Sequence, residues 1–262
     1  MARKKTSNAV ELGVLLTPQT PIMTAVELGI MRRHQASRAA APVAEQIAVR
    51  LGGLITIDLI HAGERLLETD ISTALNVSRA PVREALRILE RERLVEFQAR
   101  RGAVVTNPDA KDIADIYVVR AALFKIYLRQ LMQDRADQLE AVFEKHMPEL
   151  TRAAERKSVD DYALASFMLN MDMLALSEGR LIADLLASIS LRALRYVRLG
   201  LAADPDRIVS AVASWRALQQ AVVRRDVDEV LETAVSRIHA SRDSAVRAVQ
   251  PANDKDLSAR RA

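Results

Sequence analysis

Cysteine is absent from the 262-residue chain. That excludes disulfides, thiol chemistry and Cys-type zinc sites, and it fits a reducing interior. Phe, Trp and Tyr make up only 3% of the residues, which argues against a stacking platform for single-stranded nucleic acid. No apolar run approaches the ~20 residues needed to cross a bilayer. Arg3, Lys4 and Lys5 precede an apolar stretch over 10–16, but Glu11 interrupts it and no small-residue cleavage pattern follows. A secretory leader is therefore not expected, and the protein is read as cytoplasmic. A P-loop, a dinucleotide fingerprint, a nucleophile paired with a base and paired carboxylates in a cleft are all missing, so the chain does not read as an enzyme.

Charge is plentiful, and its placement is informative. The formal net charge is +4. Residues 1–42 carry six basic and two acidic side chains, whereas 43–106 carry nine of each. A basic domain is thus not the signal. Within 79–101 seven Arg stand against four Glu, while Asp58, Glu64, Glu68 and Asp70 collect earlier. The charges are segregated along the chain.

The segregated stretch is LNVSRAPVREALRILERERLVEFQARRGAVV, residues 75–105. Asn76 sits where a tight connection between helices needs a residue tolerant of left-handed backbone angles. Ser78 is an N-cap candidate whose hydroxyl could accept from first-turn N–H groups, and Pro81 falls where a missing N–H costs nothing. Val82, Ala85, Leu86 and Leu89 recur at helical spacing and should bury, as should Leu94 beyond them. Arg79, Arg83, Arg87 and Arg91 lie four apart and share one face. Such a face either meets anions or is solvated and paired with Glu84, Glu90 and Glu92. Residues 94–98 partly alternate like a strand, Arg100-Arg101-Gly102 makes a basic turn, and 103–106 returns as a second strand. A capped Arg-rich helix followed by a basic-tipped hairpin is the winged helix-turn-helix layout.

Gly63-Glu64-Arg65-Leu66, Val77-Ser78-Arg79, Pro81-Val82-Arg83-Glu84-Ala85-Leu86, Leu94-Val95 and Arg101-Gly102 together resemble the N-terminal domain of the GntR family of bacterial transcription regulators. The family usually has Gly where Asn76 stands. The resemblance implies that Ser78, Arg79 and Arg83 contact DNA and that Gly102 approaches it at the wing tip. Pro81 belongs to the same matched stretch, and charge and position add Arg87, Arg100 and Arg101.

Upstream, residues 1–40 read as a flexible extension, with a short helix near 25–34 as an option. A helical stripe then starts near Val43 and includes Ala44, Ile47, Ala48, Leu51, Ile55 and Ile60. Gly52-Gly53 is expected to weaken its middle, and Gly63 to end it. A short strand at 65–67 and a helix from Glu68 or Thr69 complete a domain over 41–107. Downstream, 108–249 reads as helix throughout, with helices near 109–133, 136–156, 158–176, 179–202, 206–224 and 226–249. Ser158 is a candidate cap, and Pro148 predicts a kink or an early end. Residues 250–262 read as a disordered tail. The fold class is mainly α: a winged helix-turn-helix with a small β-wing, then an antiparallel helical bundle.

A bundle after this domain resembles the FadR subfamily, whose C-terminal domain binds an effector and supports dimers. Ser177-Glu178-Gly179-Arg180, Leu185-Leu186 and 191–198 match the region of its middle helix. Many such bundles hold a divalent metal through one Asp and three His. Here those positions fall on Ser166, Asn170, Trp215 and Arg237, so no structural metal and no other cofactor is expected. Arg237, with Asn170, Ser166 and the apolar face of Trp215, instead suits a small organic acid or acyl-type effector, with Arg120 and Tyr162 as further candidates. Equally physical is a filled core in which Trp215 occupies the space and Arg237 pairs with an acid. The expected partners are a double-stranded DNA operator of near-palindromic sequence, a second copy of the chain and that effector. A protein-interaction scaffold and a DNA-binding regulator without an effector site are the alternatives.

Overall fold

The computed structural model describes residues 42–176 and 180–250, together with Pro21 and Val26. The extension expected over 1–40 and the tail over 250–262 otherwise lie outside the described residues. So do Ser177, Glu178 and Gly179 of the middle-helix resemblance. Val26 is helical and fully buried.

The N-terminal domain is built from α1 (Val43–Thr56), β1 (Arg65–Leu66), α2 (Glu68–Leu75), α3 (Arg79–Arg91), β2 (Val95–Gln98) and β3 (Gly102–Val105). The helix expected to run on to Gly63 stops at Thr56. Asp58 takes a left-handed backbone (φ 62°), and the N–H groups of Leu59 and Ile60 both turn back to the carbonyl of Leu54. Ile60 is buried as its periodicity required, but from a turn rather than a helix. Gly52 and Gly53 do not interrupt α1. Both are buried on the helix that packs against α3, where small residues allow close approach. Asn76 closes α2 at φ 52°, ψ 47°, the left-handed cap its position called for.

α3 carries Val82, Ala85, Leu86 and Leu89 fully buried beneath its exposed arginines. Ser78 is its N-cap by backbone conformation, but its hydroxyl makes no capping bond, so that expectation is corrected. Its extended backbone leads into the helix, and Pro81 in the first turn lacks an N–H to cap. The wing is a three-stranded antiparallel sheet in the order β1-β3-β2, with Gln98 opposite Gly102 across the hairpin. Gly102 has φ 76°, and Arg100 also lies in the left-handed region at φ 64°. The turn therefore needs two such residues, only one of them glycine.

The C-terminal domain comprises α4 (Ala110–Asp134), α5 (Ala136–Glu155), α6 (Val159–Ala175), α7 (Arg180–Ala203), α8 (Arg207–Val223) and α9 (Val227–Val249). Asp109 starts α4 with a full capping box to Asp112. Ser158 accepts from the N–H of Asp161 to cap α6. α5 runs through Pro148 instead of ending there, held by Met147 and Leu150, which are buried on either side of it. α4 packs mainly on α9 and on α7, while α5, α6 and α8 close the other side. Tyr127 on α4 donates to the Met173 carbonyl of α6 at 2.7 Å inside the bundle.

The two domains are joined by more than the short link at 106–109. Arg195 of α7 pairs with Asp58 in the turn after α1. Arg198 donates to the Ile57 carbonyl at 2.9 Å and to Asp160 of α6 at 2.6 Å. Ser188 lies 3.4 Å from the carboxylate of Glu92, the residue that ends α3. α7 thus grips the N-terminal domain at the ends of both α1 and α3.

Candidate nucleic-acid interface and bundle cavity

The first site is the outer face of α3 and the tip of the wing. Arg79, Arg83, Arg87 and Arg91 are all exposed, as are Ser78, Arg100, Arg101 and Gly102, while Pro81 is half-buried. The arginine ladder is not uniformly free. Arg83 donates from Nε and Nη2 to the two carboxylate oxygens of Glu68, each at 2.9 Å. A fork-on-fork pair of this kind fixes the plane of the guanidinium. Glu68 sits in the first turn of α2, so the preceding helix aims the arginine. Arg87 stacks over the Phe97 ring at 4.1 Å and pairs with Glu90 at 2.8 Å, tying α3 to β2. Arg91 lies 3.7 Å from Glu84. The solvated alternative is therefore realised at the C-terminal half of the ladder, and the N-terminal half points outward with Arg79 and the aimed Arg83. At the wing, Arg101 donates to the Gln98 side chain at 3.0 Å, while Arg100 projects from the left-handed turn position.

The second site is a cavity of about 180 Å³ inside the bundle. Arg120, Tyr162, Ser166, Asn170 and Arg237 line it, five of the six residues singled out by sequence. Trp215, the sixth, lies beneath it, with the Arg237 guanidinium 3.3 Å from its ring centroid. Residues from four helices, far apart in sequence, thus meet at one point. The lining residues that sequence reasoning missed include Arg207, Ser210, Ser214, Ser241 and Ser244. Serines at helical spacing carry no distinguishing signal in a sequence, and Arg207 reads as an ordinary first-turn charge.

The electrostatics of this cavity are unusual. Among the described residues three guanidiniums border it and no carboxylate does. Nε and Nη2 of Arg237, Nε of Arg120 and Nη1 of Arg207 are buried without a hydrogen-bond partner, as is Oδ1 of Asn170. Among the described residues Arg237 pairs with no bundle acid, contrary to one of the readings above. Burial is the chief cause that lowers the Arg237 pKa to about 9, with Arg120 adding repulsion and Tyr162 opposing the shift. Burial likewise lowers that of Arg120 and raises that of the Tyr162 phenol. A buried cation without a counter-charge is costly, and an anion entering the cavity would relieve that cost. The metal implied by the subfamily resemblance does not fit, because a guanidinium and an indole offer no lone pair to an ion.

Residues 43–105 match the family described as "Bacterial regulatory proteins, gntR family". The N-terminal domain is thus similar to gntR-type helix-turn-helix domains. The gluconate operon transcriptional repressor of Bacillus licheniformis is 32% identical over 127 residues, covering 48% of this chain and 51% of that protein. The chain spans about half the length, or less, of the curated relatives it matches. Two solved structures share the fold across 79% of this chain and 99% of their own. They are McbR/YncC of E. coli, with a TM-score of 0.68 at 15% identity, and a GntR transcriptional regulator from Rhodococcus sp. RHA1, with 0.65 at 20%.

Proposed function

We propose that this chain, carrying a DNA-binding domain of the gntR family, is a cytoplasmic transcriptional regulator and not an enzyme. It binds a near-palindromic operator as a homodimer and responds to a small anionic effector. The observation that carries the DNA half is the aimed Arg83, exposed beside Arg79 on the N-terminal half of α3 and flanked by a basic wing tip. The N-terminal turns of a recognition helix are the part that meets base edges in the major groove, and a bidentate arginine reads guanine there. Ser78 and Pro81 sit at the same end of α3, Arg87 follows one turn beyond Arg83, and Arg100, Arg101 and Gly102 reach the flanking backbone or minor groove.

Two features support the effector half. The cavity holds uncompensated guanidiniums, and its 180 Å³ falls below the ~300 Å³ at which drug-sized sites begin. A small organic acid suits that volume, and an acyl thioester does not. Arg120, Arg207 and Arg237 would hold the carboxylate, and Tyr162, Ser166 and Asn170 would orient the remainder. Val197 and Leu201 of α7 line the same cavity, while Arg195 and Arg198 of that helix grip the DNA-binding domain. A ligand that moves α7 thereby changes how the two recognition helices are held, at a coupling of about 1–3 kcal/mol.

The test is binding to the DNA upstream of the gene that encodes the chain, against a scrambled duplex of equal length across a salt series. A regulator loses affinity steeply with salt and keeps its preference for the specific duplex. Equal affinity for both duplexes at every salt concentration rejects the reading. A thermal-shift screen of small mono- and dicarboxylates tests the effector half separately.

A further inference from the structure

A groove of about 710 Å³ runs between the two domains and shares no lining residue with the bundle cavity. The end of α3 and the wing form one wall, and α4 and α7 form the other. Its volume falls within the range of about 300–1,000 Å³ in which small organic molecules bind.

The polar groups of this groove are incompletely partnered. Arg93 follows the last residue of α3 at φ 59°, a left-handed position where a helix ordinarily ends on glycine. An arginine kept there against backbone strain points to a task for its side chain. From the other domain, Arg192 of α7 has its Nε buried without a hydrogen-bond partner. Burial and then the Arg93 guanidinium lower its pKa, against smaller opposing effects of Tyr196 and Glu92. Two like charges therefore stand near each other, and among the described residues neither has an ion-pair partner. One turn further on, Arg195 and Tyr196 line the same groove, each only 7% exposed. Arg195 gives Nη2 to Asp58, but its Nε has no partner. The Tyr196 hydroxyl has no hydrogen-bond partner among the described residues. Burial, the largest cause, pushes its pKa up to about 12, so it remains a donor at neutral pH.

A dianion among these groups meets two like charges and several idle donors at once, and a phosphate monoester has the acceptor oxygens to do so. A carboxylate, with one charge and two oxygens, leaves one guanidinium unmet. The remainder of the groove suits a hydroxylated body. Asp115 of α4 is exposed, forms no ion pair among the described residues and can accept from hydroxyls, while Ile116 and Ile189 supply an apolar floor.

We propose that the groove between the domains is a second ligand site, which binds a phosphorylated polyol or sugar with its phosphate between Arg93 and Arg192 and its hydroxyls toward Asp115. Because the two guanidiniums belong to different domains, this ligand ties the end of α3 to α7. It is distinct from the effector of the bundle cavity and binds whether or not that cavity is filled.

The test is isothermal titration calorimetry of the full chain with glycerol 3-phosphate, ribose 5-phosphate and glucose 6-phosphate, with glucose and inorganic phosphate as controls. It is run on wild type and on Arg237→Leu, which removes a cation from the bundle cavity. At least one ester is expected to bind once per chain and equally well to both proteins. Glucose is expected not to bind, and inorganic phosphate to bind about tenfold more weakly than the best ester. Arg192→Gln and Arg93→Asn, the latter tolerant of the left-handed angle, should each weaken the ester by about tenfold. Arg93 is exposed, so its replacement leaves the core intact. Asp115→Ala should weaken the ester by about threefold without weakening inorganic phosphate. Binding by none of the esters, or binding that both arginine variants leave unchanged, overturns the site. Inorganic phosphate as tight as the best ester overturns the polyol assignment. Binding lost in Arg237→Leu places the anion in the bundle cavity and overturns the groove, while the operator reading stands.

Discussion

Gly200 on α7 lies so close to Ser244 on α9 that a Cβ at position 200 would stand 2.9 Å from the Ser244 hydroxyl and 3.0 Å from the neighbouring backbone. The same hydroxyl donates to the Gly200 carbonyl at 3.1 Å. The two helices meet here with only the small Ser244 side chain between them. Gly200→Ala must therefore push them apart, and the expected cost is about 1–3 kcal/mol, the usual range for overpacking. Because the contact borders the bundle cavity, chemical denaturation and carboxylate binding should suffer together. Unchanged stability would mean that the helices part freely at this point.

Arg237 should be a burden on stability until an anion arrives. Replacing it by Leu removes a buried guanidinium, two of whose nitrogens lack a hydrogen-bond partner, while keeping an apolar contact with Trp215. Arg237→Leu is expected to raise the melting temperature of the ligand-free protein and to abolish stabilisation by any carboxylate that stabilises wild type. Calorimetry with and without that carboxylate checks both. A lowered melting temperature in the ligand-free variant would show that Arg237 serves structure first.

The clasp between Arg195 and Asp58 carries the domain interface. Arg195 has 7% of its side chain exposed and Asp58 has 30%. Asp58→Asn keeps a residue that accepts the left-handed backbone but removes the charge. The loss should fall near 1–3 kcal/mol, less than for a fully buried pair because solvent screens the carboxylate. The expected signature is a single thermal transition that broadens or splits as the two domains cease to unfold together. A sharp, unshifted transition would show that the remaining contacts hold the domains together.

The proposed function makes Arg83 and its partner Glu68 one unit in reading DNA. Arg83→Ala is expected to lose about 1–3 kcal/mol of operator preference, and Glu68→Gln a smaller part of it, since the arginine persists without its guide. The hydrogen bond from Arg83 is the first cause that holds the Glu68 carboxyl below its ordinary value of 4.5. A depressed carboxyl keeps its pairing above the ordinary value and loses it only as pH falls through the lowered one. The difference between wild type and Glu68→Gln should therefore stay constant from about pH 5.5 to 8. Fluorescence anisotropy on specific and scrambled duplexes measures it. A difference that varies within that window would separate the carboxylate from the effect.

Local chemistry made much of this protein legible in its residues. The left-handed demand at Asn76, the buried stripe Val82, Ala85, Leu86 and Leu89, and the glycine at the wing tip are each set by near neighbours. Helix boundaries in the bundle followed for the same reason, from capping at Ser158 and from 3.6-residue periodicity. Where non-local contacts decide, the residues alone misled. The stripe over 43–60 reads as one helix, but Asp58 turns left-handed and presents its carboxylate to Arg195, 137 positions away. The ladder of arginines looks uniform, yet Glu68 and Phe97 give Arg83 and Arg87 different tasks. The lack of a carboxylate facing Arg237 is likewise invisible in a chain that contains 34 acidic residues. Propensity and periodicity act over a turn or two of chain, and so they are written in the sequence. Which charges find partners depends on the distances that folding sets between helices, and only the assembled bundle fixes those.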